Sequence, residues 1–193
     1  MVLSGDEDEV RRLAEEWRAR GRRVKLLTVG RAFHSPHMDA VLDEFRAVAE
    51  RLDYREPHTP VVSNLHGGLA LAGELTDPGY WVRHIREAVR FHDGVRTLNG
   101  LGTTAYLELG PGPVLTALTE EALADADTAL PAPPARAIAA LLRADRPERS
   151  TVTEALARLH VHGVPVDWAA VLPADPGADR PELPTYPFER RRH

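Results

Sequence analysis

Apolar positions recur at helical spacing in several separate stretches of this chain, and short β-branched or leucine-rich runs stand between them. Ser4-Gly5-Asp6-Glu7 has capping-box spacing, and the helix that follows, with Val10, Leu13, Ala14 and Trp17 on one face, stops at Gly21. The run Val24 to Val29 reads as a buried strand, and Met1-Val2-Leu3 as the end of another. Residues 1–29 therefore read as a β-α-β unit. Met38, Val41, Leu42, Phe45, Val48, Ala49 and Leu52 form an amphipathic helical stripe. Pro60 to Asn64 reads as a short strand leading into a Gly67-Gly68 turn. A helical stretch follows from Tyr80 through Ile85 to Val89, and a second carries Phe91, Val95 and Leu98.

Thr104 to Leu109 is a further strand, running through Gly110-Pro111-Gly112-Pro113 into a helix with Val114, Leu115, Leu118 and Leu123. Strand, glycine turn and helix in repeated order predict an α/β fold with a mainly parallel sheet. Beyond residue 125 the pattern loosens. A proline-rich loop over 129–135 precedes a short strand, Ile138 to Leu142, and one amphipathic helix with Val152, Leu156 and Leu159. The proline-rich end, Pro173 to His193, reads as an extended strap over another surface.

Composition narrows the function classes. The 193 residues are 43% hydrophobic, enough for a real core, and the net charge of −5 with mixed signs gives no basic field for nucleic acid. With no cysteine there is no disulfide framework and no thiolate metal site, which fits a cytoplasmic setting. No apolar run reaches the roughly 20 residues of a membrane span, and no signal peptide opens the chain.

The candidate chemistry centres on Phe33-His34-Ser35-Pro36-His37-Met38. A histidine at the mouth of a strand titrates near working pH and suits a general base. The serines are Ser4, Ser35, Ser63 and Ser150, and none sits in a G-x-S-x-G elbow. Ser35 is read as a local cap before Pro36. The pairs His34/His37 and His160/His162 are too few in ligands for a metal site, so none is expected. Gly110 to Pro113 lacks the phosphate-loop patterns, and its prolines remove two donors, so a rigid turn is expected there.

Taken together, several segments resemble the C-terminal part of the acyltransferase domain of modular type I polyketide synthases, followed by its post-acyltransferase linker. They are Val2 to Asp8, Arg31 to Met38, Leu107 to Leu115 and Leu183 to Arg192, with Tyr80 to Arg83 and His162 to Trp168 between them. The resemblance implies a partial α/β-hydrolase-like acyltransferase subdomain, a truncated ferredoxin-like β-α-β and an extended C-terminal linker. The corresponding divisions are 1–29 for the small subdomain, 30–125 for the large one and 126–193 for the linker.

The resemblance further implies ping-pong transfer of a malonyl-type extender unit from coenzyme A to the phosphopantetheine thiol of an acyl carrier protein. His34 matches the catalytic general base and acid. A backbone carbonyl, placed near Arg90, would orient it. Phe33 and Arg31 sit in the tetrad that sets extender choice; phenylalanine fills the space of an α-methyl and favours malonyl. The family's nucleophilic serine, in a G-H-S-x-G motif, is not in this sequence, so the chain is expected to be inactive alone. Its expected partners are the missing N-terminal half of the acyltransferase, the carrier protein and an adjacent ketosynthase reached through the linker. It binds no cofactor of its own on this reading. A non-catalytic docking module of a synthase is the alternative; a discrete malonyl transferase of fatty acid synthesis is a third reading, disfavoured by the long linker.

Overall fold

The computed structural model describes residues 2–27, 30–127 and 134–172. Helix α1 spans Glu7–Ala19. Its N-cap is Asp6, whose carboxylate accepts from the Asp8 and Glu9 amides at 3.1 and 3.3 Å, so the capping box expected from Ser4 does not form. Three acidic residues fill its first turn, favourable at the positive end of the helix dipole. Gly21 ends the segment at φ 72°, the left-handed conformation that suits a helix stop. Neither strand expected around this helix forms among the described residues. Val2, Leu3, Leu26 and Leu27 are exposed, and a β segment without a paired neighbour has no ladder to stabilise it; positions 1, 28 and 29 lie outside the described residues.

The stripe from Met38 to Leu52 divides in two. A 3-10 helix covers Pro36–Val41 and α2 covers Leu42–Ala49. Pro36 at the first position sets the tight opening turn. Met38 and Ala49 are buried, whereas Val41, Val48 and Leu52 face outward, so the apolar face is only half covered. The strand expected at 60–64 reduces to one antiparallel bridge, Val62 to Leu69, closed by the Gly67-Gly68 turn. Helix α3 spans Pro78–Arg86, capped by Asp77, and α4 spans Phe91–Gly100. The break between them falls at 87–90, before the predicted end at Val89.

Strand β1, Ala105–Glu108, leads through the glycine-proline turn into α5, Val114–Asp127, and then to β2, Ala137–Ala140. The two strands pair in parallel, Ala105 opposite Ala137 through Glu108 opposite Ala140. This β-α-β unit carries the core: Val95 of α4 packs with Ala122 and Leu123 of α5, joined by Phe91, Tyr106 and Ile138. Helix α6, Glu148–Val161, packs on β2, and a short α7, Trp168–Val171, which periodicity does not reveal, follows. The sheet therefore takes one strand from 30–125 and one from the region assigned to the linker. The strap 173–193 and most of the proline-rich loop lie outside the described residues. Among the described residues no helix is long and apolar enough to cross a membrane.

Candidate active site

His34 sits in the loop before the 3-10 helix with φ 59°, the one non-glycine residue with positive φ among those described. That conformation is costly for a residue with a Cβ, so its surroundings must hold it. They do so through the backbone on both sides. The His34 amide donates to the Ile85 carbonyl at 3.2 Å. Ser4 Oγ donates to the Phe33 carbonyl at 2.6 Å, and Ser35 Oγ donates to the Ala32 carbonyl at 2.6 Å. Ser35, itself fully buried, also accepts from the His37 amide at 3.2 Å, which is the local capping expected of it. Asp39 then ties this loop to α3 through Arg86 at 2.5 Å.

The imidazole is fixed from one end. His34 Nδ1 lies 2.8 Å from the Glu87 carbonyl. A carbonyl only accepts, so Nδ1 carries a proton, and in the neutral ring Nε2 keeps its lone pair. The orienting carbonyl is thus that of Glu87 and not of Arg90. Arg90 N–H instead donates to Asn64 O at 2.7 Å, and its carbonyl accepts from Gly94 N–H at 2.9 Å at the start of α4. Three residues make the difference: α3 ends at Arg86, and Glu87, its C-cap, turns to extended backbone there. Phe33 is 54% exposed beside His34, which removes core packing as its role; Arg31 is exposed too.

Behind His34 stands a residue the sequence pattern did not single out. His84 on α3 meets the His34 ring edge to face, centroids 6.0 Å apart. Its place four residues after Tyr80, on the same helical face, was the available signal.

The other candidates have structural partners. Glu108 accepts from the Leu115 and Thr116 amides at 2.9 and 2.7 Å and from Thr116 Oγ1 at 2.7 Å. A carboxylate of the chain thus occupies the N-terminus of α5, as a rigid turn requires. Partial burial alone raises the Glu108 pKa; the hydrogen bonds from Thr116, Leu115 and Val114 outweigh it and hold the carboxyl below its usual range. His162 Nδ1 lies on the Arg158 carbonyl at 2.8 Å, and His160 meets Trp168 edge to face at 5.5 Å.

A histidine whose Nδ1 is held by a backbone carbonyl, on a partial α/β frame, is an arrangement that suits a general base. The acyl transferase domain model matches residues 1–166. The chain is 46% identical over its full length to the polyketide synthase GfsA of Streptomyces halstedii, spanning 2% of that protein. It superimposes with a TM-score of 0.75 on the acyltransferase domain from the second module of the salinomycin polyketide synthase, at 45% identity, covering 86% of this chain and 37% of that one. A malonyl-transacylase solved in complex with a type II polyketide synthase acyl-carrier protein matches with a TM-score of 0.61 at 25% identity, over 79% of this chain and 45% of that one. The chain belongs to the acyl transferase domain family and corresponds to the C-terminal part of a modular polyketide synthase acyltransferase.

Proposed function

We propose that this chain supplies the histidine half of an acyltransferase that moves a malonyl-type group from coenzyme A to an acyl carrier protein. The observation that carries this reading is the 2.8 Å contact of His34 Nδ1 with the Glu87 carbonyl, which in the neutral ring leaves Nε2 free to accept a proton. A bare Nε2 takes the proton of a serine hydroxyl as it attacks the thioester, and returns it to the departing coenzyme A thiolate. In the second half-reaction it takes the proton of the phosphopantetheine thiol and gives it back to the serine. The serine belongs to a G-H-S-x-G segment outside this sequence, so transfer requires that segment as a partner. The divisions at 29/30 and 125/126, contact with a ketosynthase through 126–193 and a cytoplasmic setting belong to the same reading.

Phe33 favours malonyl over methylmalonyl. Phe33 is exposed and directly precedes His34 in the chain, and Arg31 precedes it on the same loop. Discrimination of one methyl is worth about 1–3 kcal/mol, so the preference is a bias. The test is an acyl-enzyme trapping experiment on the chain co-assembled with a segment bearing the G-H-S-x-G serine. Malonyl-coenzyme A should load that serine, and His34→Gln should abolish loading while the complex still forms. Loading that persists in His34→Gln supports the docking-module reading instead.

A further inference from the structure

His84 has no part in the proton transfers above, yet it sits in a rigid aromatic frame directed at the base. Its ring lies 6.0 Å from that of His34 with planes at 85°. Tyr80 stacks on it at 5.9 Å and 30°, and Trp81 lies 6.2 Å away. Both supports are anchored. Buried Tyr80 shares a 2.9 Å hydrogen bond with buried Ser63, and Trp81 Nε1 donates to the Leu75 carbonyl at 3.0 Å. The frame thus runs from the Val62 bridge through α3 to His34.

We propose that His84 is a positioning residue for His34: its ring, framed by Tyr80 and Trp81, holds the catalytic imidazole edge to face. The inference rests on His34 being the transfer base. Two imidazolium ions at this separation repel, and partial burial disfavours the charged form of His84 further. Both effects, burial first, push its pKa below the ordinary histidine value. The other ionisable groups on the packed elements are His37 and Asp39 on the 3-10 helix, Asp43, Glu44 and Arg46 on α2, and Asp77, Arg83, Arg86 and Glu87 on or beside α3. Arg86 is engaged by Asp39, and Arg83 lies 4.0 Å from Asp77. The charge of His34 adds to burial in lowering the His84 pKa.

The test has two arms. In the first, imidazole 15N resonances of the full chain are followed against pH for wild type and His34→Gln. His84 should titrate below about 6.5 in wild type, and its midpoint should rise when His34 is replaced. An unmoved midpoint overturns the coupling. In the second, transfer kinetics are measured on the chain co-assembled with the serine-bearing segment. His84→Ala should lower kcat about 10-fold with KM unchanged, as misalignment of a catalytic group does. His84→Phe, which restores a ring without a proton, should recover most of that loss. His84→Lys, a fixed cation, should move the acid limb of kcat/KM to lower pH, because His34 becomes harder to protonate. Full kcat in His84→Ala, or no recovery in His84→Phe, overturns the positioning role. Transfer that survives His34→Ala overturns the reading beneath it; transfer lost in His34→Ala but intact in His84→Ala overturns the positioning role alone.

Discussion

Replacing Gly67 by alanine isolates how tightly the turn behind the site is packed. Gly67 has φ 77°, and a Cβ built there meets Asp93 Cβ at 2.4 Å, the Asp93 carbonyl carbon at 3.2 Å and the Gly94 nitrogen at 3.3 Å. Two costs follow. The left-handed backbone costs an L-residue about 1–2 kcal/mol. Forcing a methyl against the start of α4 costs about 1–3 kcal/mol more, since Asp93 and Gly94 are helical backbone with little room to yield. The sum is about 2–5 kcal/mol, or roughly 4–20 °C in Tm at about 2–4 °C per kcal/mol for a chain of this size. Gly21 provides the control: its φ is 72° and nothing lies within 4 Å of a built Cβ, so Gly21→Ala carries only the backbone cost. Thermal unfolding followed by circular dichroism compares the two. A melt of Gly67→Ala no lower than that of Gly21→Ala would refute the packing of this turn on α4.

Ser63→Ala should destabilise by about 1–3 kcal/mol, the cost of leaving the buried Tyr80 hydroxyl without its partner; denaturant unfolding measures it, and Ser63→Ala with Tyr80→Phe should recover part of the loss. Glu108, held below its usual range when folded, adds stability that is fully present above the ordinary glutamate pKa near 4.5 and is lost as pH falls through the lowered value. Glu108→Gln should therefore remove part of the acid-side slope of an unfolding-versus-pH curve; an unchanged slope refutes the cap. Phe33→Ser should raise methylmalonyl acceptance by about 10-fold relative to malonyl in the co-assembled enzyme, within the range one methyl allows. Leu109, Val114, Leu115 and Leu118 form an exposed apolar stretch beside β1. Anilinonaphthalene sulfonate should bind there and be released when the serine-bearing segment assembles, a signal absent if the stretch is not the interface.

The parts of the fold legible in the sequence are those whose partners are close along the chain. The β1–α5–β2 unit was readable because strand, turn and helix follow one another within 36 residues and each has its own periodicity. The runs at 1–3 and 24–29 form no strand among the described residues, because a β-branched run needs a neighbour to pair with. The site shows the same division. His34 and the Ser35 cap were visible in one hexapeptide. The Glu87 carbonyl was not, because which carbonyl faces a ring depends on where α3 ends, a boundary that sequence reading fixes only to within a few residues. His84 was hidden for a different reason: on an apolar helical face a histidine looks like packing until its neighbour in space is known.

On the proposed function, His34 is the base of a transfer reaction completed by a serine from another segment. The most direct measurement is the rate of malonyl transfer from coenzyme A to a carrier protein, catalysed by this chain co-assembled with the G-H-S-x-G segment, for wild type and His34→Ala. Removal of a general base should lower the rate about 10²–10⁴-fold while the complex still forms. A complex that assembles and transfers malonyl equally fast without His34 contradicts the account.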